Sequence, residues 1–290
     1  MSISGDFSLG VAIPAYKDCD KLRRCLGSIA EHAPALLPRT VVVDDSGDGS
    51  VANTLRASFP DIQWVLHEQN QGFGPSASES VLSCQADIVV LLNDDVLLLS
   101  DPAPQLQQLF RDPALFAVTF RSQREDGAFR EGAKRLVWPM GFPRILHGER
   151  DQLPPVNGLH PSAYAVGGHA AYRKEFFAAL DGFDPLFEPF YWEDVDICAR
   201  ALRRGWASAY CPECRVMHGE DGAIRTRHSA ALIRELTMRN RLLFAWRHLP
   251  AHLKPLHTLS LLYHLTASVL LSGPAFLRAF LSARRRWRSA

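Results

Sequence analysis

Several common signals are absent from this 290-residue sequence. There is no GxGxxG and no GxxxxGKS/T segment, so neither a Rossmann dinucleotide fingerprint nor a P-loop is signalled, and a phosphate must be met in another way. No apolar run is long and clean enough to span a bilayer: the longest uncharged stretch, Pro255 to Leu277, is interrupted by His257, His264 and a Gly273-Pro274 break. The opening MSISGDFSLGVAIP has neither a basic n-region nor an apolar h-region. A cytoplasmic setting is therefore expected, with Cys19, Cys25, Cys84, Cys198, Cys211 and Cys214 as reduced thiols. Cys211 and Cys214 form one CPEC, and the second pair that a structural zinc site needs is missing. Acidic residues are absent from Leu236 onward, where nine Arg or Lys stand alone; the preceding residues hold the other 23 basic side chains and all 31 acidic ones. The net charge of +1 gives no electrostatic reason to expect nucleic acid as a partner.

What is present is a chain with 47% hydrophobic and 10% aromatic residues, enough to bury the core of one large domain. The first 120 residues alternate two periods. LGVAIPAY (Leu9 to Tyr16), TVVVDD, IQWVLHE, DIVVLLNDD and LFAVTF read as buried strands. Between them lie helical patterns: DCDKLRRCLGSIAEH behind a capping aspartate, then Val51 to Phe59, Pro75 to Gln85 and a segment containing QLQQLF. Such alternation implies an α/β fold with a mostly parallel sheet covered on both faces, whose ligands gather at the carboxyl ends of the strands. Those ends carry Pro14-Ala15-Tyr16, Asp44-Asp45-Ser46 and Asn93-Asp94-Asp95. Two adjacent carboxylates at the end of an apolar strand are costly unless a cation meets them, so Asp94 and Asp95 point to a divalent ion. From Arg121 to Ser162 the pattern dissolves into a long Gly- and Pro-containing segment. Regular structure returns before a helix that opens with Glu193-Asp194, for which Val195, Cys198, Ala199 and Leu202 are the expected core face.

Six segments, VAIPAYKDCDKLRRCLGSI, VVVDDSGDGS, NQGFGPSASES, VVLLNDDVLLL, GGHAAYRKEFFAALDGFD and FYWEDVDICARALRRG, together resemble the inverting glycosyltransferases of family 2, which have the GT-A fold. The resemblance runs from about Leu9 to Arg247. It implies a nucleotide-sugar donor whose base and ribose lie against Pro14, Ala15 and Tyr16, with Asp45 accepting a hydrogen bond from the base and Asp44 supporting it. It further implies that Asp94 meets the ribose or metal shell, that Asp95 binds Mg²⁺ or Mn²⁺ bridging the diphosphate, and that His218 completes the ligand set. Asp194 is then the candidate general base, its neighbour Glu193 raising its proton affinity by like-charge repulsion, and the sequence leaves open which of the two carboxylates acts. Arg225 and Arg227 are expected to reach the diphosphate. Gly167, Gly168 and His169 are expected to line the acceptor or sugar pocket. Tyr191 and Trp192 are either a stacking face for a sugar or core packing.

The expected organisation is a GT-A domain over 1–235, with a nucleotide-sugar half to about 122 and an acceptor half after it. A basic helical region over 236–290 would either lie on the inner face of an anionic membrane or pack as an oligomer helix. Lys17 stands where many relatives have Asn, and no QxxRW follows the acidic pair, which argues against a processive synthase and for single additions. The wording NQGFGPSASES and NDDV most resembles bacterial enzymes that add rhamnose or galactofuranose to surface glycans, with a glycan or lipid-linked acceptor and a UDP- or dTDP-linked donor. Two rivals are a sugar nucleotidyltransferase, which normally has a Gly-rich basic loop where this chain has IPAYKDCDK, and a catalytically silent nucleotide-binding protein, which would not need both acidic pairs.

Overall fold

Runs of aliphatic residues become the central strands of the computed structural model, which describes residues 6–148, 153–156, 158–219, 227–266 and 274–289. Strands β1 (Leu9–Ala15), β2 (Thr40–Asp44), β3 (Gln63–Leu66) and β4 (Ile88–Leu92) pair in parallel in the spatial order 3-2-1-4. All but the edge strand β3 are buried along their whole length. Helix α1 (Cys19–His32) starts where Asp18 accepts a hydrogen bond from the Lys21 amide at 3.1 Å, and it buries Leu22, Cys25, Leu26 and Ile29. Helices α2 (Ser50–Leu55) and α3 (Phe73–Ser83) complete the crossovers.

After β5 (Val96–Leu98) and α4 (Ala103–Leu109), the LFAVTF run forms β6 (Leu115–Gln123). It does not sit beside β4. Short strands β7 (Phe129–Glu131), β8 (Arg135–Val137), β9 (Arg144–Leu146) and β10 (His160–Pro161) occupy the segment where periodicity was lost. Strand β11 (His169–Arg173) then inserts between β4 and β6, antiparallel to both. Its five residues are all buried, but His169 and Arg173 at its ends break the apolar run that marks the other central strands. Helices α5 (Lys174–Ala179) and α6 (Glu193–Arg203) lead to β12 (Ala207–His218), which pairs in parallel with β6 and, past a bulge at the two cysteines, antiparallel with β5.

Three apolar clusters hold these layers together. One packs α1 and α4 under β1 and β4; a second packs α3, α5 and α6 on the opposite face. The third joins Phe142, Phe187, Trp192 and Val195 to Leu242, Leu243, Phe244 and Ala283 of the C-terminal helices α7 (Ala230–His248) and α9 (Ala275–Ser289), with α8 (Lys254–Leu265) between them. The expected division at residues 235 and 236 falls inside α7. The core face of α6 also differs from expectation. Val195 and Cys198 are buried as expected, but the face extends to Ile197 and Ala201, because Asp196 on its flank is drawn inward by Arg200, Arg247 and His248, and Leu202, about 100° beyond Ala201, is 66% exposed.

Candidate active site

At the end of β2 the two aspartates take different positions. Asp44 is fully buried and accepts hydrogen bonds from the amides of Ser46 at 3.0 Å and Ala52 at 2.8 Å, which ties the turn to the start of α2. Asp45 accepts from the amides of Gln71 at 2.7 Å and Gly72 at 3.0 Å, and its carboxylate lies 2.7 Å from His67 Nδ1. The other ring nitrogen of His67 meets Glu79 at 2.8 Å. Burial works against the imidazolium, but the two carboxylates outweigh it and raise the proton affinity of His67. His67 and Glu79 escaped the sequence reading, although both lie in segments it singled out. Tyr16 caps β1: its amide donates to Asp94 at 3.2 Å, and the Arg227 guanidinium lies 4.1 Å from its ring centroid while donating to its carbonyl at 3.2 Å. Arg225 lies outside the described residues.

At the end of β4 the carboxyl of Asp94 is pushed up to about 7 by burial and by Asp95. Burial also opposes ionisation of Asp95, but His218, with Nε2 3.4 Å from Asp95 Oδ1, outweighs it and holds that carboxyl below the usual range. Beyond His218 stands a pair that sequence reading did not assign to a cation. Glu131 and His169 join His218 with ligand atoms all within 4.8 Å of one another. Burial pushes His169 down to about 3, so its imidazole is neutral at physiological pH. Glu131 also binds the buried Lys134, which overcomes the burial of the carboxyl and brings it down to about 2.

Asp95 Oδ1, His218 Nδ1 and both ring nitrogens of His169 are buried without a hydrogen-bond partner. Orphaned buried polar atoms of this kind are costly, and carboxylate oxygen with imidazole nitrogen is a donor set that suits a divalent first-row ion. The residues therefore fit such a cation. An open cleft of about 530 Å³ leads to Asp95 and His218, with Lys21, Arg24 and Arg124 on its walls.

The second acidic pair begins α6, where the dipole and free amides favour negative charge. Asp194 accepts from the amides of Val195 at 2.8 Å and Gly167 at 3.2 Å. Next to Gly167, the Gly168 carbonyl accepts from the Asn93 amide at 2.9 Å. A two-residue glycine step thus touches both acidic ends, and a Cβ on Gly168 would stand 2.6 Å from the side-chain nitrogen Nδ2 of Asn93. Burial raises the proton affinity of both Glu193 and Asp194. Asp194 further raises Glu193 by like-charge repulsion, while the amides of Gly167 and Val195 partly offset the burial of Asp194. Glu193 has one buried oxygen with no partner, whereas Asp194 has two donors, so the negative charge resides on Asp194. Tyr191 and Trp192 both have positive φ, 71° and 79°, a strained turn that aims the acidic pair inward. Trp192 is core: its ring packs 5.0 Å from Phe244.

Residues 7–241 match the model of the family described as glycosyltransferase-like family 2. Among curated relatives, the O-antigen chain rhamnosyltransferase RfbN of Salmonella typhimurium is 23% identical, over 72% of this chain and 65% of its own length. The N-acetylglucosaminyl-diphospho-decaprenol L-rhamnosyltransferase of Mycobacterium tuberculosis is 26% identical over 72% of this chain and 75% of its own. Among solved structures, GalNAc-T7 with UDP, GalNAc and Mn²⁺ superimposes with a TM-score of 0.63 at 16% identity, covering 83% of this chain and 48% of that one. The fold is GT-A, and the chain belongs to glycosyltransferase family 2.

Proposed function

We propose that the chain transfers a sugar, with inversion, from a nucleotide-sugar donor to a hydroxyl of a glycan or lipid-linked acceptor in cell-surface polysaccharide or lipopolysaccharide synthesis. The observation that carries this reading is the glycine step: Gly167 bonds Asp194 and Gly168 bonds Asn93, so the two acidic pairs border one site. The names of the two bacterial relatives favour a deoxyhexose such as rhamnose, and hence a dTDP- or UDP-linked donor.

In this reading Pro14, Ala15 and Tyr16 form the wall for the base and ribose, with Arg227 packed behind Tyr16. Asp45, held rigid by His67 and two amides, meets the edge of the base, and Asp44 keeps that turn in shape. Asp95 and His218, with His169 and Glu131 next to them, would hold Mg²⁺ or Mn²⁺; the bound ion supplies charge stabilisation for the departing diphosphate. Asp94 keeps its neighbour and the Tyr16 backbone in register. Asp194 takes the proton of the attacking hydroxyl on the face of the sugar opposite the leaving group, and Glu193, retaining its own proton, leaves the charge of its neighbour undivided. Inversion follows from that opposed placement.

Calorimetry and transfer assays on three proteins test the reading. Asp95→Ala is expected to abolish Mn²⁺-dependent binding of a nucleoside diphosphate. Asp194→Asn is expected to bind it as the unmodified chain does and to lose about 10²- to 10⁴-fold in turnover. Unaltered turnover in both variants rejects the mechanism.

A further inference from the structure

Helix α8 leaves apolar side chains uncovered while it buries polar ones. Toward the protein it turns Leu261, packed on the third cluster, together with two polar groups: His257 is buried and donates to the Gly141 carbonyl at 2.8 Å, and Ser260 is buried and donates to the Met140 carbonyl at 2.7 Å. Toward solvent it turns Leu259, Leu262 and Tyr263, which are 64%, 56% and 57% exposed. Their i, i+3, i+4 spacing places them on one face. Met140, at the point where α8 docks, is exposed as well. A surface helix normally buries such a stripe.

The neighbouring helix α9 supplies the charge. The two helices meet through Phe142, whose ring lies 5.5 Å from His264 of α8 and 6.3 Å from Phe276 of α9. Along α9, Leu281, Arg284, Arg285 and Arg288 follow one another at i, i+3, i+4 and i+7, and all are exposed together with Trp287. Arg278 and Arg286 pair with Glu235 and Glu188, but Arg284, Arg285 and Arg288 have no ion pair among the described residues. No helix among the described residues is long and apolar enough to cross a membrane.

We propose that this surface, the outer face of α8 with the unpaired arginines of α9, docks on an anionic lipid bilayer. The charge decides the occupant. A second copy of the chain would also cover apolar side chains, but a symmetric contact through this surface brings Arg284, Arg285 and Arg288 of each chain together with no acidic residue on α8 or α9 to answer them. An anionic leaflet answers all three, and leucine, tyrosine and tryptophan beside arginine are the side chains that settle at the head-group boundary. This goes beyond the transfer reading and stands whichever sugar is moved.

Flotation of the full chain with vesicles tests it. The protein is expected to float with phosphatidylcholine vesicles containing phosphatidylglycerol, not with phosphatidylcholine alone, and to be released as salt is raised. Replacing Arg284, Arg285 and Arg288 together by Ala should weaken the partition by about a hundredfold. Replacing Leu259, Leu262 and Tyr263 together by Ser should also remove the protein from the floating fraction, with the melting temperature monitored as a fold control. The salt series on the unmodified chain gives the same answer without any substitution. Equal partition on neutral and anionic vesicles, no flotation of the unmodified chain, or undiminished binding by correctly folded variants overturns the proposal. So does a stable dimer that the substitutions dissociate while vesicle binding stays unchanged.

Discussion

Glu193 and Asp194 are adjacent in the chain, yet their surroundings separate their chemistry. Two amides serve Asp194, while Glu193 keeps an oxygen that nothing meets. Because burial raises the proton affinity of Glu193 in the folded chain, the folded state holds a proton there that the unfolded state has already released, so its ionisation reduces stability as pH rises. That cost is absent below the unfolded carboxylate value and fully present above the folded one. Glu193→Gln should therefore melt close to the unmodified chain at pH 5 and about 3 °C or more above it at pH 9, by differential scanning calorimetry. A variant less stable at pH 9 contradicts the assignment. In the proposed mechanism the active form of Asp194 is the carboxylate, and its raised proton affinity should move the acid limb of kcat/KM above the usual carboxylate range, with activity rising as pH rises. A pH series shows this directly, and an acid limb at ordinary carboxylate values would remove Asp194 from the role.

At the scale of elements, Gly167 and Gly168 make different demands. A methyl group on Gly167 would find ordinary contacts, its nearest 3.5 Å away, whereas one on Gly168 would drive into the side-chain amide of Asn93. Gly167→Ala should consequently keep its stability, while Gly168→Ala should lose about 1–3 kcal/mol and weaken Mn²⁺ binding by displacing the Asn93 side chain next to Asp94. Urea melts and calorimetric titration of both variants make the comparison, and equal behaviour would remove the steric account. The same elements mark how far the sequence could be read. Strands β1, β2 and β4 were visible because buried parallel strands are continuous apolar runs, Asp94 and Asp95 stood out because they interrupt one, and Glu193 and Asp194 were marked by their place at a helix start and by the family resemblance. Strand β7 was not, because three residues are too few to show a period, and Glu131 and Lys134 were hidden with it. His169 was expected to line the acceptor or sugar pocket, and its burial and approach to His218 were not legible because they depend on long-range pairing that no local pattern carries. Leu202 was misplaced for the complementary reason: the partners that rotate α6 include residues some fifty positions away.

Across the whole molecule, the C-terminal helices serve as a buttress for α6. Asn240, fully buried on α7, bonds the carbonyls of Phe187, Phe190 and Tyr191 at 2.5, 2.9 and 2.8 Å, fixing the strained turn before the acidic pair. Removing that amide in Asn240→Ala leaves buried carbonyls unmet and should cost about 2–3 kcal/mol. Turnover should fall with it while Mn²⁺ affinity holds, since the cation residues hang from other elements; a loss confined to Mn²⁺ affinity would refute this arrangement. Strand β11 extends the argument to both halves, being bonded to β4 along one edge and to β6 along the other. It works as a shared ruler. Insertions or rebuilt hairpins between β6 and β11 would leave the spacing between the end of β4 and the glycine step unchanged, because β11 is registered on β4 directly.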